Sequence, residues 1–378
     1  MCVCACGSDS KPQPKPPPVQ WTLESTPNPG NGTASPGLSA VDCPTADACL
    51  AIGTDSSGNG LALRPSGTRW QLEPAPTKGA VGLSGASFAC ATAHACTTVG
   101  SSAERWNGRR WISEALPRVA GESVVYFGVS CSGPSFCMAV GAWYDHSGTR
   151  GGTLAARWDG AHWVRIAAPS PARSELVGIS CTAANSCMAV GDVYLRIRNQ
   201  FGPSMFAERW NGSGWTLEAM PRPTSGSRPV KLVAVLDVSC PSARICTAVG
   251  GYVNPSGFGS NDSTLVERWS GDRWRVQASP TPDNGVGDEF WSVSCPATSS
   301  CTAVGEEGTI EHWAGSAWKI QGITQPPGTT SGGAGAFEIT WTGVSCPTTA
   351  DCIAVGNYTP HHNIKQTHTL VERWDGHG

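Results

Sequence analysis

The residues best placed to do chemistry are cysteines. Seventeen occur in 378 residues, and fourteen of them form seven pairs with five residues between partners: Cys43/Cys49, Cys90/Cys96, Cys131/Cys137, Cys181/Cys187, Cys240/Cys246, Cys295/Cys301 and Cys346/Cys352. Paired thiols can oxidise, bind metal or stay reduced. Zinc needs four ligands, and the first cysteines of successive pairs lie 41 to 59 residues apart, so each pair stands alone. Two cysteines at opposite ends of a hairpin loop can meet the Cα separation of a disulfide. Seven disulfides are therefore expected, over free buried thiols. Each closes a small loop and stabilises by about 2 kcal/mol. Bridges in that number imply an oxidising compartment.

Cys2, Cys4 and Cys6 stand outside this pattern. Val3-Cys4-Ala5-Cys6-Gly7 has the form of the end of a bacterial lipobox, with a modifiable Cys after a small residue. Ser8-Asp9-Ser10 and the Lys/Pro stretch through Pro18 would then form a semi-extended surface spacer. The apolar signal segment is missing. The expectation is that the natural start lies upstream and that Cys6 carries a lipid. Three incidental cysteines are the alternative.

Other reactive groups are sparse. Tyr358, His361, His362 and His368 could supply a copper or zinc site, since imidazole suits both metals. Asp288, Glu289, Glu306 and Glu307 could meet as paired carboxylates for glycoside hydrolysis. No nucleophile elbow, zincin helix or phosphate-binding glycine loop occurs. No cofactor is expected.

What positions these groups is a repeat of about 50 residues. In the fifth unit, Val238-Ser239-Cys240 leads to a turn and then to Cys246-Thr247-Ala248-Val249-Gly250. After a variable loop come Leu265-Val266-Glu267-Arg268-Trp269, Ser270-Gly271, Trp274-Arg275-Val276-Gln277 and a Pro-rich exit. These are four short strands, A to D, each bounded by turn residues. The C–D turn carries Asn107-Gly108, Asp159-Gly160 or Asn211-Gly212, which predicts a two-residue type I′ hairpin. Unit one has Pro65 where the others have Trp, so its strand C is expected to be irregular there. The recurring Glu104-Arg105, Glu208-Arg209, Glu267-Arg268 and Glu372-Arg373 read as structure, through interblade ion pairs and Arg stacked on Trp.

Seven such units predict an all-β fold: a seven-bladed β-propeller of four-stranded antiparallel blades. The last unit ends after strand C, and Trp21-Thr22-Leu23-Glu24 near the N-terminus matches Trp215-Thr216-Leu217-Glu218 of strand D. That segment is expected to close the ring inside blade seven. Residues 1–18 form the truncated lipoprotein-type N-terminus and spacer, and 19–378 the propeller. Composition agrees. Gly 46 and Pro 29 supply turns, and only 15% of residues are charged. The net charge of −3 argues against nucleic acid as a partner, and no apolar run is long enough to span a membrane.

Unit five resembles the kelch-type, galactose-oxidase-like propeller repeat. The likeness rests on Gly250-Gly251 after strand B, the aromatic Trp269 in strand C and Trp274 opening strand D. The arrangement also resembles exported actinobacterial propeller lipoproteins. The likeness implies a propeller fold, and the galactose-oxidase branch implies copper held by Tyr and His.

A–B and C–D turns fall on one face of such a propeller, and B–C and D–A loops on the other. The second set varies in length, and function on a rigid scaffold sits in variable loops. The expected binding residues there are Trp143, Tyr144, His146, Tyr194, Arg196, Arg198, Tyr252, Phe258, Tyr358, His361, His362 and Lys365. Aromatics with Arg anchor protein interfaces and also suit sugar rings. Trp143, Tyr194, Tyr252 and Tyr358 all follow the strand-B glycine, so covering blade ends is the other reading for them. The sequence thus points to an exported, lipid-anchored monomer on the cell surface, a non-catalytic binder of an extracellular protein or glycan. The alternative is a glycan-active hydrolase or lyase, or a copper oxidase.

Overall fold

The computed structural model describes residues 20–30, 35–77, 87–147, 151–169, 171–197, 200–225, 228–230, 232–253, 263–280, 289–329, 339–361 and 366–376, with backbone alone at 194–197, 200–203, 225, 228–229 and 232. The N-terminal spacer, Cys6, Arg198, Phe258, Asp288, His362 and Lys365 lie outside these residues.

Seven four-stranded antiparallel sheets form, each in the order A-B-C-D. Blade three is typical, with strands Ser123–Gly133, Phe136–Tyr144, Gly151–Trp158 and Trp163–Ile166. The A strands pack side by side around the centre, and that of blade seven (Ile339–Thr348) meets that of blade one (Gly37–Asp42). Strand B is buried on both faces. Cys137, Met138, Ala139 and Val140 are all shielded from solvent, which explains its unbroken apolar run. The strand-B glycine answers a close approach. Strand A bulges opposite it, and a Cβ at Gly191 would sit 1.9 Å from Glu175 O. Among the described residues no helix is long and apolar enough to cross a membrane.

The ring closes where the sequence places the closure. Thr22–Leu23 pairs with His368–Trp374 as the outer strand of blade seven. Trp21 is 1% exposed and packs with Trp341, Cys346 and Leu370. Glu24 then reaches both ways. One oxygen accepts from Arg373 Nε at 2.9 Å in its own blade, and the other from Trp70 Nε1 at 2.6 Å in blade one. Trp21→Ala should cost about 3–5 kcal/mol and open the seam between blades seven and one. Chemical denaturation with hydrogen exchange at Trp70 would measure it; an unchanged midpoint would count against a closing role for this strand.

All seven predicted disulfides are present, with S–S distances of 2.00–2.09 Å. As expected, each pair spans the A–B hairpin turn. The second cysteine of each pair belongs to the blade core: Cys49 and Cys301 are 0% exposed, and Cys96, Cys137 and Cys352 are 1% exposed. Cys49 packs with Leu38, Ala51 and Trp70, and Cys96 with Phe88, Leu50 and Trp106. The physical reason is the place of strand B, which starts at or beside the second cysteine and is covered on both faces. Cys49, Cys96 and their counterparts are therefore structural residues with no surface to offer a ligand.

Two further sequence expectations need correcting. The C–D connections are not two-residue type I′ turns in the Asn-Gly and Asp-Gly blades. Trp106 pairs with Trp111, so four residues intervene, and only Gly108 has positive φ. Asn107 instead accepts the N–H groups of Arg109 and Arg110 through Oδ1, an Asx turn. Asp159 and Asn211 do the same. Nor does Pro65 disrupt strand C of blade one (Gly60–Ser66), where it pairs with Trp70. Pairing with strand B ends at Leu63, so the N–H that proline lacks is not needed on that side.

Junctions between blades repeat one chemistry. The strand-A Ser of one blade accepts the first-Cys N–H of the next: Ser130 from Cys181, Ser180 from Cys240, Ser239 from Cys295, Ser294 from Cys346 and Ser345 from Cys43, at 2.9–3.0 Å. Asp42 does this for Cys90. Ala89 has no hydroxyl to offer blade three. The strand-C Arg also reaches forward. Arg105 lies 3.9 Å from the Trp158 ring centre and donates to Pro134 O. Arg268 does the same with Trp313 and Thr298 O. This bears out the structural reading of the Glu-Arg-Trp motif for its arginines. The glutamates differ from expectation. Glu104 accepts from Thr77, and Glu311 from Ser279, both in the preceding blade's exit. The carboxyl oxygens of Glu208 and Glu267 are buried without a hydrogen-bond partner. Among the described motif arginines, only Arg373, at the closure, bridges two acids, Glu24 and Asp351.

Candidate functional site

The B–C and D–A connections share one face, as antiparallel order requires. A pocket of about 280 Å³ opens there between blades two and three. It exists because blade two has almost no B–C loop. Strand B ends at Val99 and strand C starts at Ala103, with Gly100 N–H closing onto Ser102 O at 2.9 Å. Blade six is as short, but there the Glu306–Gly308 turn packs Gly308 against Ile323 and Ile339. In blade two the space stays open.

The pocket floor is Leu116, Pro117, Val124 and Tyr126. Tyr126 is held at both ends: its backbone N–H donates to Gly100 O and its phenol to Pro117 O. Burial pushes the phenol up to about 12, while the charges of Arg165 and Arg118 pull the other way. Ser101, Ser102, Glu114 and Arg118 supply the polar rim.

One blade further round, a second group gathers. Glu175 and Asp192 stand directly opposite each other on strands A and B of blade four. Tyr144 of blade three donates its phenol proton to Glu175. Asp192 is 4% exposed, and its Oδ1 has no hydrogen-bond partner. Burial, with the facing Glu175 charge, holds its carboxyl well above the usual range. Arg173, just before this strand, adopts φ 60°, a conformation that L side chains take at a cost.

The sequence candidates scatter over this face. Trp143 packs on the core shared by blades two and three, Tyr252 on that of blades four and five, and Tyr358 on that of blade seven. These three cover blade ends. Tyr144 joins the carboxylate pair. His146 and His361 are exposed, and Tyr358 stacks on His368 at 5.1 Å. Tyr194 and Arg196 lie on the long strand B of blade four, where backbone alone is described. Among the described residues no three His, Cys, Asp or Glu side chains form a metal site. Among the described residues, none of the named candidates lines the pocket. The short Ser101-Ser102 link is visible in the sequence; the Glu114–Arg118 exit beside it and the Glu175–Asp192 pair carry no contiguous motif. An acid directly after the strand-B glycine, where blade three has Ala142 and blade five Gly251, was the signal for the latter.

No family model and no curated protein matches the chain. Solved structures do. A YCF48 bound to a D1 peptide superposes with TM-score 0.55 at 10% identity, covering 93% of this chain and 94% of that one. YCF48 from Cyanidioschyzon merolae gives 0.51 at 13%, covering 94% and 98%. The WD40 repeats of RRP9 give 0.60 at 9%, covering 95% and 98%. At such identities the likeness is one of fold: this chain is a seven-bladed β-propeller.

Proposed function

We propose that the chain is an exported, lipid-anchored propeller whose B–C/D–A face binds an extracellular protein. The observation that carries this is the open pocket between blades two and three, set among variable loops on a ring stapled by seven disulfides. Rigid blades with a preformed pocket suit binding without rearrangement. A propeller of similar fold, YCF48, holds a peptide. The kelch-type kinship of blade five and the lipid on Cys6 belong to this proposal; mass spectrometry of the native N-terminus tests the latter.

Photo-crosslinking decides the face. A benzoylphenylalanine replacing Ala115 should capture a protein at least fivefold more than one replacing Arg109, on the C–D turn of the opposite face. Equal capture from both faces, or glycan-array binding with no captured protein, would count against the proposal. A second reading, a glycan hydrolase, is favoured by the opposed Glu175 and Asp192, since a carboxyl held above its usual range beside a second carboxylate is the kind of pairing that glycoside cleavage uses. It expects release of reducing sugar from a glycan panel that Asp192→Asn abolishes.

A further inference from the structure

Two arginines near the blade two–three pocket have no acid of their own. Arg118 lines the pocket, and Arg165, on strand D of blade three, lies close enough for its charge to act on the Tyr126 phenol. Among the described residues neither makes an ion pair. Both side chains are exposed. Glu114, the one acid in the lining, is offset by the Arg105 guanidinium. The pocket therefore combines an apolar floor, two serine hydroxyls and an uncompensated positive edge.

That combination selects a ligand. A site of about 280 Å³ holds roughly nine waters at ~30 Å³ each, which is the space of one to two amino-acid residues. The ligand must bring an apolar group and a negative charge on neighbouring atoms. A polypeptide's last residue does so, because its side chain and its free carboxylate leave the same Cα. An internal Asp or Glu brings the charge without the apolar group. Arg is the cation that matches a carboxylate in a planar, two-pronged geometry.

We propose that this pocket captures the C-terminal residue of the partner protein, with an apolar side chain on Leu116, Pro117, Val124 and Tyr126 and the terminal carboxylate at Arg118 and Arg165. This rests on the protein-binding reading of the same face and names the part of the partner that is read. The carboxylate carries specificity and the floor carries desolvation.

The test uses the oxidised full chain and a set of acetylated tripeptides ending in Leu, Val or Phe, each as free acid and as C-terminal amide. An amidated peptide with an internal Glu and the free acid N-acetylglycine complete the panel. Affinity is read by fluorescence polarisation at low and at 0.5 M salt. Free-acid peptides are expected to bind at least tenfold tighter than their amides. Arg118→Gln should cost about tenfold and Arg165→Gln about threefold, both with unchanged melting temperature because the side chains are exposed.

Three results would overturn the proposal: amides that bind as well as acids, the internal Glu peptide or N-acetylglycine matching the free-acid peptides, or no binding by any peptide. The wider protein-binding reading fails separately. If crosslinking from Ala115 captures a partner that Arg118→Gln releases no faster, the face is right and the carboxylate pocket is wrong.

Discussion

Reducing the seven disulfides is expected to abolish cooperative unfolding near physiological temperature. Each bridge ties strand A to strand B of its blade, and Cys90 with Cys96, Cys131 with Cys137 and Cys181 with Cys187 stand directly opposed in the ladder. Each removes about 2 kcal/mol of loop freedom from the unfolded chain. Seven together are comparable with the 5–15 kcal/mol by which a whole domain is stable. The bridges also sit in the seams: Thr97, Thr247 and Thr302 hydroxyls contact the sulfurs of Cys137, Cys301 and Cys352 in the following blades. Calorimetry before and after full reduction, with thiols counted, should show a fall of more than 20 °C in melting temperature or loss of the transition. Fourteen free thiols with the melt intact within 5 °C would contradict this. Paired Cys131→Ser and Cys137→Ser changes should show a single bridge's share.

Stability should also decline as the pH rises from 5 to 9. Burial raises Glu208, Glu267 and Glu372 from 4.5 to about 8. It raises Asp42 and Asp237 from 3.8 to about 6, against hydrogen bonds that favour the charged form. A raised carboxyl binds its proton more tightly when folded. Its contribution is complete below the unfolded value and is lost as pH climbs through the folded one. Each glutamate's contribution is therefore lost progressively between roughly pH 4.5 and 8. The exposed turn acids act the other way. N–H groups of His162 and Ala161 lower Asp159, so its support is lost as pH falls below 4. The optimum should lie near pH 4–5. A melting profile by circular dichroism should be several degrees higher at pH 5 than at pH 8.5. Glu208→Gln with Glu267→Gln should flatten that slope, and a double variant with the parent's slope would refute the assignment.

Much of this architecture could be read from spacing. The C-x5-C pairs counted the blades, and Trp21 betrayed the closing strand because it has the neighbours of Trp215. What escaped depended on geometry between units. The position of Cys49 and Cys96 at the end of the hairpin loop is legible in the spacing, but their depth in the core depends on the blades that cover strand B from either side. The Asn-Gly pair signals a turn, but not that the Asn107 side chain does the turning. Nor does a sequence show the register that leaves the Pro65 nitrogen unpaired on one side. The site was harder still. The pocket is the gap left by a missing loop in blade two, bounded by the exit of the same blade and the first strand of the next, so no contiguous motif marks it. Glu175 and Asp192 are 17 positions apart and meet only through strand register.

The direction of the interblade contacts has a further meaning. Blades with a serine or aspartate clasp offer an acceptor forward to the next blade's first-Cys N–H, and Arg64, Arg105 and Arg268 likewise reach forward to a tryptophan of the next blade. A blade thus carries a plug on one side and a socket on the other, and copies of one unit fit head to tail without redesign. Such a gene can grow or shrink by whole-unit duplication or loss, because a new copy arrives with both halves of its junctions. Only two seams resist this exchange. One is the join at Glu24, whose two oxygens are committed to different blades. The other follows Ala89, where the plug is missing and the pocket lies.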